Sequence, residues 1–374
     1  MGRFVIVNGI GDTVAAFRGA LVRDLVARGH EVIVSTPRPV ERSAEAVEDE
    51  VRALGAQCVF SPLDRTGLNP LGELATRRHF RGLFERTRPD GVLATNPKPV
   101  WHALRAAREA GVARRVAMIT GLGHVFISES LKARMLRAVA VRLYRGAMRE
   151  ATTVLFQNGA DRREFERRGL VPAGLECDVV AGSGVDLDTF AQQPLPSGAV
   201  YLMVARLLGD KGVREFVHAA RLVRDQRSDC RFRLVGWIDA NPAAIRKDEL
   251  DQWVREGVIE YAGRLDDVRP ELAACSVFVL PSYREGCPKS TLEALATGRA
   301  VVTTDAPGCR ETVERGVNGT LVPVGDSRAL AEACLKFATD AGLRERMGAA
   351  SRALAERKFD VRAVNARIAA ALGA

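Results

Sequence analysis

The sequence predicts an α/β protein of two domains, each a parallel sheet covered by helices. Its 374 residues are too many for one ordinary hydrophobic core and suit two domains of roughly 150 to 200 residues each. Short apolar runs alternate with helical segments in two successive series, which is the pattern of parallel, Rossmann-like sheets. A stretch that contains Pro and Gly, within residues 185–198, separates the two series.

The first series begins at the amino terminus. Residues 4–11, FVIVNGIG, form an apolar run that ends in a Gly-containing turn. Residues 13–28 have helical periodicity, and Gly29 is a helix stop. Further strands are predicted at residues 31–35, 91–95, 116–120 and 153–157.

The second series begins with AVYLMVAR at residues 199–206, followed by a helix from Gly212 and another from Ser290. Its other strands are predicted within residues 231–237, 258–263, 276–282 and 300–305. The last segment, FDVRAVNARIAAAL, has the periodicity of a helix. We therefore predict an amino-terminal domain over residues 1–185 and a second domain over residues 186–357. The helix at about 358–374 can pack back on either domain, the first included.

The composition predicts a cytoplasmic protein. The seven cysteines are odd in number and widely spaced, without a Cys-x-x-Cys or Cys/His cluster, which indicates reduced thiols and no metal site. No uncharged apolar stretch of about 18 residues is present, and the first residues enter a strand rather than a signal peptide.

The positive charge lies in the amino-terminal half. Residues 1–185 hold 28 Lys and Arg against 20 Asp and Glu, whereas the remainder holds 27 against 26. This excess favours an anionic partner for that half: nucleic acid, anionic lipid or a phosphorylated acceptor. The same excess also arises from a generally Arg-rich composition that has no function. Of the 55 basic residues, 48 are Arg.

Residues 281–311, PSYREGCPKSTLEALATGRAVVTTDAPGCRE, carry the most specific signal. Glu285 and Glu293 are separated by seven residues, with a Gly-Cys-Pro turn and a helix start between them. The first backbone N–H groups of a helix attract anions, so Lys289, Ser290 and Thr291 are predicted to bind a diphosphate. Glu293 then suits ribose hydroxyls and Glu285 the hydroxyls of a sugar.

This stretch resembles the Glu, seven residues, Glu motif of the retaining glycosyltransferase family four, whose fold is GT-B: two Rossmann-like domains facing across a cleft. The resemblance extends to VARLLGDKG, in which Arg206 and Lys211 have the spacing that holds the donor diphosphate. Two fixed cations stabilise a leaving diphosphate without a metal ion. RLVGW and EYAGRLDDV resemble the segments around the base, which adds Gly236 and Arg264.

The amino-terminal half resembles the branch that extends sugars on undecaprenyl diphosphate, through TNPKPVWHALRAAREAGVARRVAMITGLGHVF at residues 95–126. The resemblance implies that Lys98 lies near the acceptor phosphates and that the loop from Thr120 to His124 faces the donor sugar. It also implies that Gly9 and Gly11 approach the donor phosphates. Many family members have His where this chain has Thr120, and His124 is the nearest histidine.

Residues 130–149, SLKARMLRAVAVRLYRGAMR, contain six basic residues and no acid. On a helical wheel Met135, Val139 and Leu143 share one side with Leu136 and Ala147, and the arginines gather mostly on the other. This pattern fits a helix on anionic lipid at the inner face of the plasma membrane, and it fits equally a core-facing helix with a solvated Arg face.

Together these observations predict a metal-independent, retaining transferase that moves a sugar from a nucleotide diphosphate, UDP-HexNAc or UDP-hexose, to a polyprenyl-diphosphate-linked saccharide. The nucleotide sugar is a substrate, and no cofactor is predicted. Asp186 and Asp188 match the metal-binding Asp-x-Asp of the other glycosyltransferase fold, but they lie at the inter-domain linker and not beside a donor loop. The alternatives are a nucleotide-sugar 2-epimerase on the same fold and a basic nucleic-acid-binding protein, which no recognised motif or aromatic platform supports.

Overall fold

Two all-parallel sheets organise the chain in the computed structural model, which describes residues 1–65, 67, 69–122, 126, 130–238, 241 and 243–374. The chain divides into two compact units. We call Met1–Ser183 together with Val361–Ala374 the amino-terminal unit, and Gly184–Asp360 the carboxyl-terminal unit. The predicted fold class of two Rossmann-like sheets is confirmed.

The amino-terminal unit has a seven-stranded sheet. Its strands are β1 (Arg3–Val7), β2 (Glu31–Pro37), β3 (Gln57–Ser61), β4 (Gly91–Thr95), β5 (Arg114–Ile119), β6 (Thr153–Phe156) and β7 (Glu176–Val179), in the order β3-β2-β1-β4-β5-β6-β7. Its helices are α1 (Val14–Ala27), α2 (Ala44–Ala53), α3 (Pro70–Thr87), α4 (Pro97–Glu109), α5 (Leu131–Glu150) and α6 (Gly159–Arg167).

The carboxyl-terminal unit has a six-stranded sheet. Its strands are β8 (Val200–Val204), β9 (Arg231–Val235), β10 (Glu260–Gly263), β11 (Val277–Leu280), β12 (Ala300–Thr304) and β13 (Gly319–Val322), in the order β10-β9-β8-β11-β12-β13. Its helices are α7 (Val213–Arg224), α8 (Lys247–Arg255), α9 (Arg269–Ala274), α10 (Lys289–Ala296), α11 (Ser327–Thr339) and α12 (Ala341–Leu354).

The last helix, α13 (Val361–Leu372), returns to the amino-terminal unit. Its Val364, Ile368 and Leu372 join the core on one face of the sheet, against Phe4 and Ile6 of β1. Val5 and Val7 of β1 join the core on the other face, with α3, α4 and α5. Both faces of β1 are therefore buried, which explains its continuous apolar run.

Three strands had no counterpart among the predicted apolar runs, and all three are at sheet edges: β3, β7 and β13. They are short, and several of their residues are only partly buried. Because an edge strand has one unpaired side and less cover, it lacks the apolar run that marks a central strand. Among the described residues, no helix is long and apolar enough to cross a membrane.

Candidate active site

Two loops at the carboxyl ends of β8 and β11 pack directly against each other. Gly212, which precedes α7, has a φ of 76°, and a Cβ there would collide with the carbonyl oxygen of Pro281. The Tyr283 N–H donates to the carbonyl oxygen of Asp210 at 2.9 Å. These backbone contacts place Lys211, on the first loop, beside Glu285, on the second.

The Lys211 ammonium and the Glu285 carboxylate form an ion pair, with Nζ 2.6 Å from Oε1. The same carboxylate oxygen accepts a hydrogen bond from the Ser282 hydroxyl at 2.8 Å. Both charged side chains are largely buried, with 17% and 13% of their surfaces exposed. The residue predicted to hold the diphosphate and the residue predicted to hold the sugar therefore form one network, to which Ser282 belongs.

The loop after β12 supports the backbone of Glu285. The Glu285 N–H donates to the Pro307 carbonyl oxygen at 2.9 Å. Gly308, with a φ of 84°, lies so close to the Glu285 carbonyl that a Cβ would collide with its oxygen. Ser282 and Gly308 were not predicted as functional residues, although the Pro-Ser and Pro-Gly dipeptides were visible signals of tight turns.

Helix α10 begins at Lys289, one residue earlier than predicted. The Thr291 N–H donates to the Pro288 carbonyl oxygen at 3.1 Å. The Thr291 N–H therefore closes the first turn of the helix here, and its role as a backbone donor to a diphosphate stays a prediction. Lys289 and Ser290, the first two residues of α10, remain candidates by position.

Glu293 lies one turn into α10, with its side chain 12% exposed and its Oε1 3.8 Å from the Lys289 Nζ. Burial raises the pKa of Glu293 to about 7, against the smaller opposing effect of Lys289. Among the described residues, the charged partner of this buried carboxyl is Lys289, at a distance too long for a hydrogen bond. Such a carboxyl suits a ligand that brings hydroxyl donors.

The ends of β9 and β10 contribute the remaining predicted residues of this unit. Gly236 has no room for a side chain, because a Cβ would collide with the Ala205 carbonyl oxygen. Its own carbonyl oxygen accepts a hydrogen bond from the Tyr261 hydroxyl at 2.9 Å. The guanidinium of Arg264 lies 4.9 Å from the centroid of the Trp237 ring, a cation–π arrangement that presents a flat surface.

The predicted residues of the carboxyl-terminal unit thus follow four neighbouring strands, β10, β9, β8 and β11. Arg206 is half-buried and lies two residues beyond the end of β8, on the same loop as Lys211. Because ligands of open parallel sheets collect beyond the carboxyl ends of the strands, this edge is the candidate donor site.

In the amino-terminal unit, the predicted glycines have structural roles of their own. The Gly9 N–H donates to the side-chain oxygen of Asn96 at 3.1 Å, and the Asn96 amide nitrogen donates to the Thr120 hydroxyl at 3.0 Å. A Cβ on Gly11 would lie 2.5 Å from the Pro37 carbonyl oxygen. Close packing within the unit therefore requires Gly11, and the Gly9 N–H already has a partner.

Lys98 is buried rather than exposed to an acceptor. Its Nζ lies 2.5 Å from Glu73 Oε1 and donates to the Gly67 carbonyl oxygen. The other Glu73 oxygen lies 2.5 Å from His102 Nε2. Glu73 therefore neutralises Lys98 and links α3 to α4. His124, the predicted histidine near the sugar, lies outside the described residues.

The Asp-x-Asp pattern forms a local turn. One Asp186 carboxylate oxygen accepts hydrogen bonds from the backbone N–H groups of Asp188 and Thr189, each at 3.0 Å. Within the described ranges, no group of three or more His, Cys, Asp or Glu has an arrangement that fits a metal ion.

Helix α5 shows which side of the basic segment faces the core. Ala133, Tyr144, Ala147 and Met148 are buried. The opposite side carries a stripe of exposed apolar residues, Leu131 (72%), Met135 (66%), Val139 (53%) and Leu143 (37%), which we call the α5 stripe. The interpretation in which Met135, Val139 and Leu143 face the core is therefore wrong.

Family models match both units of the chain. Residues 13–180 match the model described as "Glycosyl transferase 4-like domain", and residues 198–340 match "Glycosyl transferases group 1". The chain is 28% identical over 356 residues to the N,N'-diacetylbacillosaminyl-diphospho-undecaprenol alpha-1,3-N-acetylgalactosaminyltransferase of Campylobacter jejuni, with 91% of each chain covered. It is also 26% identical over 245 residues to the capsular polysaccharide biosynthesis glycosyltransferase CapM of Staphylococcus aureus, covering 66% of this chain and 60% of CapM.

Solved structures share the fold over the whole length. Anabaena Alr3699/HepE, in complex with UDP and glucose, superposes with a TM-score of 0.79 at 20% identity over 100% of both chains. The sucrose-phosphate synthase of Thermosynechococcus elongatus has a TM-score of 0.81 at 18% identity, covering 99% of this chain and 98% of that one.

Proposed function

Because the chain belongs to the glycosyltransferase families that match its two units and has the GT-B fold, we propose that it moves a sugar, with retention of configuration, from a UDP-sugar to a polyprenyl-diphosphate-linked saccharide. The name of the Campylobacter relative supports the lipid-linked acceptor and an N-acetylhexosamine donor. The fold-sharing Anabaena protein was crystallised with UDP, which makes UDP-sugars the first donors to test.

The observation that carries the proposal is the pairing of Lys211 with Glu285 next to the start of α10. A diphosphate bound at this edge attracts Lys211 and thereby weakens the ion pair between Lys211 and Glu285. The Glu285 carboxylate then accepts hydrogen bonds from sugar hydroxyls. Glu293, buried one turn into α10, accepts hydrogen bonds from the ribose hydroxyls. These residues are thus assigned to the diphosphate, the sugar and the ribose of the sugar nucleotide.

The proposed reaction is a same-face substitution. The bond between the anomeric carbon and the diphosphate oxygen breaks as the acceptor oxygen forms a bond to the same face of that carbon. The departing diphosphate oxygen accepts the proton of the acceptor hydroxyl, while Arg206 and Lys211 stabilise its negative charge. Among the described residues of the network, the carboxylates are assigned to hydroxyl recognition, so no covalent sugar–enzyme intermediate is proposed.

The test is to incubate the protein with a panel of UDP- and GDP-sugars and short polyprenyl-diphosphate saccharides, and to identify products by mass and by the anomeric coupling in NMR. Glu285→Gln should lower kcat at least tenfold, whereas Glu332→Gln, an exposed glutamate of α11, should not. An inverted anomeric product would refute retention. Epimerisation of the UDP-sugar without acceptor would instead establish the epimerase alternative.

The α5 stripe supports a further part of the proposal, contact with an anionic bilayer, where a lipid-linked acceptor resides. The exposed Arg134, Arg142 and Arg145 lie on the same helix, and no acidic residue occurs before Glu150. An apolar stripe flanked by cations is the surface that an interfacial helix presents, with the apolar residues among acyl chains and the cations at the head groups. Each basic residue near such a surface contributes about 1 kcal/mol.

Sedimentation with liposomes tests this contact. Replacing Arg134, Arg142 and Arg145 with Gln should abolish binding to anionic liposomes, as high salt does for the wild type. Met135→Gln should weaken binding as well, whereas Leu222→Gln, an exposed leucine of α7, should not. Undiminished binding by both α5 variants would refute the lipid surface. A dimer that the same variants dissociate would show that α5 binds a second copy instead.

A further inference from the structure

One side-chain amide connects the ends of three neighbouring strands in the amino-terminal unit. The Asn96 oxygen accepts hydrogen bonds from the Gly9 N–H at 3.1 Å, after β1, and from the Thr95 hydroxyl at 3.3 Å, at the end of β4. The Asn96 amide nitrogen donates to the Thr120 hydroxyl at 3.0 Å, after β5. The Thr95 hydroxyl also contacts the Asn8 side-chain oxygen at 2.9 Å, which extends the network along β1.

The backbone of Asn96 is strained. Its φ of 73° and ψ of 161° lie in a region that is essentially restricted to glycine. Within the part of the chain that the structure describes, Arg88 is the other non-glycine residue with positive φ. Arg88 has the left-handed conformation that commonly ends a helix, with a φ of 44° and a ψ of 60° at the end of α3. Asn96 therefore has the more costly conformation, and no helix end explains it.

The side chain of Asn96 also does not cap the helix that it precedes. Asn96 is the N-cap of α4, a position where Asn normally accepts a hydrogen bond from the second or third helical N–H, yet it makes no such bond. The first and third helical residues are Pro97 and Pro99, which have no N–H. Two prolines thus remove most of the need for capping and leave the amide available to connect the strand ends.

Asn96 strains the backbone and does not cap α4 with its side chain, whereas a glycine would adopt the same conformation without strain. The side chain of Asn96 therefore needs a function that a glycine could not perform. We propose that Asn96 is a positioning residue, which holds Gly9 and Thr120 in fixed positions on either side of β4. This inference rests on the proposed function and on the family resemblance, which implies that Gly9 approaches the donor phosphates and that Thr120 lies on the side of the donor sugar. In this proposal Asn96 acts through Gly9 and Thr120 rather than by direct contact with a substrate.

The decisive variants are Asn96→Gly and Asn96→Ala. Asn96→Gly removes both the hydrogen bonds and the strain, so its thermal midpoint should equal or exceed that of the wild type, whereas Asn96→Ala keeps the strain and should unfold at a lower temperature. Both variants should lower kcat at least tenfold, and the Kd for UDP should rise by a smaller factor, because Lys211 and Arg206 of the other unit still bind the diphosphate. A structural role alone would lower the thermal midpoint and leave kcat unchanged.

Two further measurements complete the test. Amide hydrogen exchange of the peptide that contains Gly9 should accelerate in both variants, since the Gly9 N–H loses its acceptor. Thr120→Val, which removes only the β5 half of the network, should lower kcat less and should add nothing to Asn96→Gly in the double variant. Unchanged Gly9 exchange, or wild-type kcat in Asn96→Gly, would overturn the positioning role. Absence of sugar transfer by the wild type would instead refute the proposed function, and the exchange measurement would still test the network.

Discussion

Replacing Glu293 with glutamine should stabilise the carboxyl-terminal unit at pH 8 while weakening the binding of UDP. Burial raises the pKa of this carboxyl to about 7, from an ordinary value of 4.5. Between these two pH values the folded protein binds the proton and the unfolded chain does not, so the free energy of unfolding falls as pH rises through this window. Above about pH 7 both states are ionised and the loss is complete.

The size of the effect follows from the difference between the two pKa values. Each pH unit corresponds to about 1.36 kcal/mol, so the full loss is about 3 kcal/mol, of which about 2 kcal/mol falls between pH 5.5 and pH 8. No large discount for solvent screening applies, because only 12% of the side chain is exposed. Glutamine has the shape of the neutral acid and never ionises, so Glu293→Gln should avoid this loss.

The assay is urea unfolding at pH 5.5 and pH 8, followed by tryptophan fluorescence, since Trp237 and Trp253 both lie in the carboxyl-terminal unit. The stability advantage of Glu293→Gln over the wild type should grow by about 2 kcal/mol from the lower to the higher pH. Glu332→Gln removes one exposed carboxyl of the same unit and is the control. If the difference in free energy of unfolding between Glu293→Gln and the wild type is the same at both pH values, the argument that burial destabilises the ionised Glu293 carboxylate is refuted.

Three other predictions concern the same unit. Arg206→Ala and Lys211→Ala should each weaken UDP binding at least tenfold by calorimetry, because a charge-assisted hydrogen bond contributes about 1.5 to 3 kcal/mol; unchanged affinity in both would remove the diphosphate assignment. Full transferase activity is expected in excess chelator, and loss of activity with rescue by manganese would contradict metal independence. Gly308→Ala should lower the thermal midpoint more than Gly316→Ala, since both have positive φ but only Gly308 has the Glu285 carbonyl against it; equal losses would show that packing on Glu285 is unimportant.

Local sequence signals were enough to predict the central strands. They also predicted that a helix begins between Glu285 and Glu293, which leaves Glu285 in the preceding loop and Glu293 in the first turns of the helix. The pairing of Lys211 with Glu285 was not predictable in the same way. These residues are 74 positions apart, and their contact depends on the packing of the Gly212 backbone against Pro281. Lys98 illustrates the same limit, since its partner Glu73 lies on a different helix.

The sequence patterns also did not determine the orientation of helix α5 about its own axis. The wheel of residues 130–149 groups Met135 with Val139 and Leu143, apart from most of the arginines, but it does not say which side faces the sheet. The structure decides this through Tyr144, which is buried among Trp101 and Phe165 and turns the α5 stripe outward. Asn96 was missed because its role depends on the parallel order β1-β4-β5, which no local motif encodes.

The return of α13 to the amino-terminal unit has a consequence for the order in which the protein matures on the ribosome. The carboxyl-terminal unit is an insertion whose two ends, at Val185 and Phe359, are joined by a backbone hydrogen bond of 2.8 Å. During translation, the core around Phe4 and Ile6 lacks the part that Ile368 and Leu372 contribute until α13 emerges, because residues 184–360 are synthesised first. At bacterial or eukaryotic elongation speeds this delay is on the order of ten to thirty seconds. We therefore expect the inserted unit to finish folding first, and the nascent amino-terminal sheet to expose an apolar face to chaperones in the meantime.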